Sequence, residues 1–90
     1  MFRLWIRLVK DSRLLRDTVV EDGGDDSRTA KIKNAIDAAC GEFDLPRPIW
    51  LSATIEEFRR HDRCRFTGDA FMESVPFDYM EIRVLEEDMA

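Results

Sequence analysis

Side chains of two kinds alternate over residues 2–10, and this pattern constrains the fold more than any other feature. A period of two is that of a β-strand, in which successive side chains point to opposite faces. One face of this strand is wholly apolar: Phe2, Leu4, Ile6 and Leu8. The other face carries Arg3, Trp5, Arg7 and Val9. The even-numbered face is therefore expected to meet the core.

A second strand follows at residues 14–21, so the chain should open with a hairpin. A two-residue turn at Asp11-Ser12 would set Arg7 opposite Arg16, and like charges in that position are unfavourable. A three-residue loop over 11–13 avoids this clash. It gives the pairs Arg3 with Glu21, Trp5 with Val19, and Arg7 with Asp17. We therefore predict the three-residue loop.

Two helices are expected after the acidic segment at residues 22–26. The first should span residues 27–40 and end at Gly41, because its apolar residues follow a helical stripe. That stripe comprises Ile32, Ala35, Ile36, Ala39 and Cys40. The second should be short, at residues 55–61, with Thr54 capping it in a capping box and Ile55 facing the core.

Strands at residues 63–67 and 79–86 complete the pattern, and residues 87–90 should form a frayed tail. Strands, helices and further strands in this order predict an α+β fold. We expect a three- to four-stranded, mainly antiparallel sheet with an N-terminal hairpin. The main helix should pack on one face of the sheet, accompanied by the second, short helix.

Length and charge limit what such a chain can do. Its 90 residues suit a single domain over residues 1–90 and provide little material to wall a large ligand cavity. The formal net charge is −5, which makes it a small acidic protein. Charges interrupt the first ten residues too often for a signal-peptide core or a membrane span, so we expect a cytoplasmic protein without membrane association.

Catalytic and metal chemistry find little support in the sequence. The chain has two cysteines, Cys40 and Cys64, and a single histidine, His61. His61 and Cys64 are three residues apart, but no third group is evident to orient the imidazole. The cysteines and the histidine lack the spacing of a zinc site, and a disulfide is not expected in the cytosol. We therefore predict no catalytic residue, no metal and no cofactor.

The segment around residues 59–66 is the best candidate for nucleic-acid binding. It carries four arginines near an aromatic residue: Arg59, Arg60, Arg63 and Arg65. Arginine can bind phosphates and an aromatic ring can stack on a base. Nucleic-acid-binding domains are usually basic overall, whereas this chain is acidic, so pairing of these arginines with nearby acids is favoured.

The sheet face opposite the main helix is the more informative surface. It should carry an unusual amount of aromatic and arginine area, typical of protein-interaction hot spots. The predicted interface residues are Arg3, Trp5, Arg7, Val19, Tyr79 and Arg83. An equally weighted alternative is that the segment around Trp50, or the second helix, folds over this face.

Three parts of the chain together resemble a group of small bacterial proteins that have no assigned function. They are the N-terminal hairpin, Leu45-Pro46-Arg47-Pro48-Ile49-Trp50-Leu51 and Arg65-Phe66-Thr67-Gly68-Asp69-Ala70-Phe71. The resemblance implies a bacterial cytosolic origin and a single domain, and it transfers no activity or ligand.

The sequence thus predicts a non-enzymatic protein-interaction or regulatory module. Its partner would be another protein or a second copy of the chain, giving a homodimer. The alternative function is nucleic-acid binding through Arg59–Arg65.

Overall fold

The structure, a computed structural model, describes residues 1–87 and has an α+β fold, as predicted. Its elements are β1 (Phe2–Lys10), β2 (Arg13–Asp22), α1 (Arg28–Phe43), α2 (Ser52–His61), β3 (Arg63–Thr67), a 3₁₀ turn (Gly68–Ala70) and β4 (Tyr79–Glu86). The four strands form one sheet in the order β2-β1-β4-β3, and every neighbouring pair is antiparallel. The first and last strands therefore lie together at the centre.

The hairpin keeps the predicted register over most of its length but turns differently. Arg7 lies opposite Asp17, as the three-residue loop required. The turn itself has only two residues, Asp11 and Ser12, both with positive φ (51° and 64°), which suits the twist of a hairpin. A bulge after Leu8 restores the register by leaving Leu15 as an extra residue on β2. The predicted loop length of three residues was wrong, because the extra residue lies in a bulge on β2 and not in the turn.

The core lies between the even-numbered face of the sheet and the helices. The apolar residues of this face on β1 are all buried: Phe2, Leu4, Ile6 and Leu8. The predicted stripe of α1 is buried against them, and Phe43 extends it by one more turn. Helix α1 thus runs past the predicted end at Gly41 and ends at Asp44, whose φ of 56° is left-handed.

Helix α2 begins earlier than the sequence suggested. It starts at Ser52, with Leu51 as an N-cap that makes no side-chain hydrogen bond, so the capping box predicted at Thr54 does not form. Thr54 is buried inside the helix instead. Phe58 is buried as expected, whereas Ile55 remains 42% exposed.

The two ends of the described part of the chain lie close to other elements of the fold. The Met1 amino group lies 3.5 Å from Glu86 Oε2. Arg28 Nε donates to Glu87 Oε1 over 2.5 Å, which ties the end of the described chain to the start of α1. The remaining residues of the predicted frayed tail, 88–90, lie outside the described residues.

Candidate functional site: the outer face of the sheet

The face of the sheet that points away from α1, here called the outer face, is organised in cross-strand rows. Each row takes one residue from each strand, because all four strands are antiparallel and in register here. The charged row consists of Asp17, Arg7, Glu81 and Arg65. The tryptophan row, next to it, consists of Val19, Trp5, Arg83 and Arg63.

Glu81 is the centre of the charged row. Arg7 Nε donates to its Oε1 over 2.7 Å, and Arg65 Nε donates to its Oε2 over 2.9 Å. The Glu81 side chain is only 9% exposed, so its charge is buried between two arginines. Burial by itself raises the pKa of Glu81, but the hydrogen bonds and charges of Arg65 and Arg7 outweigh it and bring the pKa below its ordinary value.

The two arginines that bind Glu81 also contact the aromatic residues of the outer face. The Arg7 guanidinium lies 4.9 Å from the centre of the Trp5 ring, and that of Arg65 lies 4.4 Å from the centre of the Tyr79 ring. Trp5 Nε1 also donates to Asp17 Oδ2 over 2.9 Å. Contacts within the protein therefore hold both aromatic rings in place.

The tryptophan row contains two arginines that lie directly opposite each other. Arg63 on β3 lies directly opposite Arg83 on β4, and both are exposed. Neither forms an ion pair within residues 1–87. Arg83 is in turn opposite Trp5, which is opposite the half-exposed Val19. Like charges placed opposite each other destabilise a sheet, so this row is a local cost to the fold.

All six predicted interface residues point to the outer face, but the arginines among them differ in their ion pairs. Arg3 is occupied by Glu21, at 3.0 Å, and by Glu86, at 3.6 Å. Arg7 is occupied by Glu81, as described above. Among residues 1–87 this leaves Arg83 as the charged residue of the set that has no ion pair. Its partner in the like-charge pair, Arg63, was assigned by the sequence only to the nucleic-acid alternative.

The outer face is not covered by the elements that the sequence left as candidates. Trp50 packs edge-on against Phe66, with ring centres 4.9 Å apart, and against Phe58 of α2, at 5.8 Å. Phe66 is fully buried and alternates with the exposed Arg65 on β3, so Trp50 and α2 lie on the inner side of the sheet. Trp5 and Arg83 therefore remain accessible.

The basic segment is divided between two surfaces. Asp62 ends α2 in a left-handed conformation, with φ 54°, and redirects the chain into β3. Arg59 then lies on α2, and Arg60 lies 3.8 Å from Glu56 on the same helix. Arg63 and Arg65 belong instead to the outer face. The one sequence signal for this division is Asp62, since aspartate tolerates the left-handed region better than most residues.

Cys64 and His61, the two residues considered for nucleophilic catalysis, lie in different environments. Cys64 is completely buried, and its burial, with Glu57 and Glu81 nearby, raises its pKa to about 12. His61 is exposed at the end of α2. A thiol with such a pKa stays protonated near neutral pH and is a poor nucleophile. Cys40 is likewise buried, and neither cysteine is in a disulfide.

Comparison with known proteins does not identify a family for this chain. No family model, no curated protein and no solved structure matches the chain. The resemblance to small bacterial proteins therefore stays a prediction. Neither helix in the described part of the chain is long and apolar enough to cross a membrane. Within residues 1–87 no group of three or more histidine, cysteine or carboxylate side chains is placed to hold a metal ion.

Proposed function

We propose that this protein is a non-enzymatic interaction module of the bacterial cytoplasm that binds an acidic segment of another protein on its outer face. The observation that carries the proposal is the pair Arg63 and Arg83 beside Trp5, which lie opposite each other and form no ion pair with any of residues 1–87. An arginine presents a planar fork of donors that matches a carboxylate, and two such forks side by side suit a chain with neighbouring acids.

The energetics of the tryptophan row support this assignment. Two like charges opposite each other are unfavourable in the isolated protein, and a carboxylate placed between them removes that repulsion. Trp5 adds a rigid aromatic surface already fixed by Asp17 and Arg7, so little conformational freedom is lost on binding. Tryptophan and arginine are the residue types most enriched at energetic hot spots.

The surroundings favour a protein over a nucleic acid. Carboxylates are interleaved through the rest of the outer face at Asp17, Glu21 and Glu81. They would repel the regular phosphates of a nucleic acid, whose binding depends on a broad positive surface. An extended acidic peptide, in contrast, can carry carboxylates at the positions that face Arg63 and Arg83 and uncharged residues elsewhere.

The two tryptophans provide the test, because Trp5 lies on the outer face and Trp50 on the inner side. In ¹⁵N-labelled protein, a short peptide alternating glutamate and valine should shift the indole signal of Trp5 and leave that of Trp50 in place. The same peptide with glutamine for glutamate is the ligand control. Trp5→Phe assigns the two signals.

Matched variants locate the binding charge. Arg83→Gln should weaken peptide binding about fivefold, the effect of losing one charge-assisted contact at the surface. Arg13→Gln removes an equal charge at the hairpin turn and should change affinity less than about twofold. Equal effects of the two variants, or a shift of Trp50 alone, would contradict the proposal.

Two further outcomes would assign the surface differently. A single-stranded oligonucleotide that binds better than the peptide, and loses binding in Arg59→Gln, would establish the nucleic-acid alternative instead. Light scattering that shows a dimer weakened by Trp5→Ala would make the outer face a self-interface. A monomer whose Trp5 signal responds to the acidic peptide supports the proposal.

A further inference from the structure

A second surface feature lies on the opposite side of the molecule, in the groove between α1 and α2. Its volume is about 490 Å³, within the roughly 300–1,000 Å³ typical of small-molecule sites. Its floor is apolar and is formed by Ile32, Trp50, Ile55 and Phe58. The exposure of Ile55, which the sequence placed in the core, results from its position in this groove.

The rim of the groove is cationic. Arg28, Lys33 and Arg59 line it, and no aspartate or glutamate of residues 1–87 does, although acids outnumber bases in the chain. Arg28 is already occupied, since it donates to Asp62 Oδ1 over 2.7 Å and to Glu87, and lies over the Phe58 ring. Lys33 and Arg59 are exposed and form no ion pair within residues 1–87.

The length of the groove decides between a small molecule and a peptide. On α1 it extends only from Arg28 to Lys33, which is about 7.5 Å of helix axis at 1.5 Å per residue. A helix that docks through anchors seven residues apart needs about 10.5 Å. The groove therefore fits a short ligand better than a partner helix.

We propose that this groove binds a free medium-chain aliphatic carboxylate. The alkyl chain lies on the floor formed by Ile32, Trp50, Ile55 and Phe58, and its carboxylate is bound by Lys33 and Arg59. The burial of apolar chain and the pairing of opposite charge both favour this occupant. This site is independent of the outer face, so either can exist without the other.

Octanoate is the probe for the test, added to ¹⁵N-labelled full-length protein well below the concentration at which it forms micelles. It should shift the indole signal of Trp50 in a saturable manner and leave that of Trp5 unchanged. Octylammonium, which has the same chain and the opposite charge, should shift Trp50 far less. Equal binding of the two, or no shift of Trp50 with octanoate, would overturn the proposal.

Charge-removing variants complete the test. Lys33→Gln/Arg59→Gln should weaken octanoate binding about tenfold, since two exposed charge contacts are lost. The control Arg60→Gln removes a neighbouring charge of α2 that does not line the groove, and should change affinity less than about twofold. An unchanged affinity in the double variant would contradict the proposed role of these two residues.

Alkyl chains that end in an anionic group also occur in membrane lipids. Binding to vesicles distinguishes a membrane surface from a free carboxylate as the ligand. Protein that sediments with vesicles of phosphatidylglycerol but shows no Trp50 response to octanoate would assign the groove to a membrane surface, against the proposal. Octanoate binding without vesicle binding supports it.

Discussion

Trp5 and Trp50 occupy the two sides of one sheet and are held in different ways. Trp5 is fixed by a hydrogen bond to Asp17 and by the Arg7 guanidinium over its ring. Trp50 is fixed edge-on between the rings of Phe58 and Phe66. The inner side is thus ordered by apolar packing, and the outer face by a network of charges.

This difference separates stability from recognition. Packing of apolar rings involves no charge that salt could screen and no titrating group, and it contributes most of the stability of a small domain. Ion pairs near the surface contribute less and are screened by salt, but they fix direction and charge. We therefore expect changes on the inner side to affect mainly folding, and changes on the outer face to affect mainly binding.

The two tryptophans should differ most clearly when each is truncated. Trp50→Ala should lower the free energy of unfolding by about 3 kcal/mol, because it removes a large ring packed against the core. Trp5→Ala should lower it by only about 1 kcal/mol, since its ring lies outside the core cluster and rests on charged groups. Urea denaturation followed by circular dichroism measures both. Equal losses would remove the distinction between the two sides.

Among residues 1–87, Glu81 is the one charged residue of the outer face that is buried. Glu81→Gln should cost about 2 kcal/mol at neutral pH, because Arg7 and Arg65 lose their shared carboxylate. The folded-state pKa of Glu81 lies below its ordinary value of 4.5, so the unfolded chain takes up the proton first. The stabilising effect of Glu81 is therefore present above pH about 4.5 and is lost as the pH falls through the folded-state pKa.

The measurement is the free energy of unfolding of the wild type and of Glu81→Gln between neutral pH and acid. The difference between them should shrink as the pH falls below about 4.5. Glu73→Gln is the control for the loss of one exposed carboxylate. A constant difference across this range would show that the carboxylate charge of Glu81 does not stabilise the fold.

The smallest stability effect is expected at the like-charge pair, and it should have the opposite sign. Arg83→Glu turns the repulsion with Arg63 into attraction and should stabilise the protein by about 0.5 kcal/mol while abolishing binding of the acidic peptide. Arg63→Glu should do the same. The double variant restores like charges and should lose the gain, which completes a double-mutant cycle. Additive effects in the cycle would show that the two side chains do not interact.

Local patterns were sufficient to predict much of the fold. The alternation of β1 and the charge pairing between Arg7 and Asp17 determined the hairpin register, and the bounds of β3 and β4 agree with the prediction. These features depend on side-chain period and on neighbours across one strand pair. The tight turn was missed because its bulge at Leu15 is a backbone irregularity with no compositional signal.

The candidate site was only partly predictable for a similar reason. The sequence placed Trp5 and Arg83 on one face, because both follow from strand period. It did not place Arg63 beside them, since that contact depends on β3 pairing with β4 rather than on any local pattern. The groove between α1 and α2 was missed because it depends on how two helices sit on the sheet.

The central position of β1 and β4 has a consequence for how the chain folds. Their contacts join segments that are about 70 residues apart. At one end of this strand pair the Asp78 carboxylate accepts a hydrogen bond from the Asp11 N–H, and the Asp78 N–H donates one to the Val9 carbonyl. Bringing such distant segments together slows folding, because a long loop must close before the contacts form. During synthesis the hairpin and α1 emerge early, but the edge of β1 that pairs with β4 must wait for the last strand. A nascent chain that stalls before Tyr79 would expose the unpaired backbone groups of that edge.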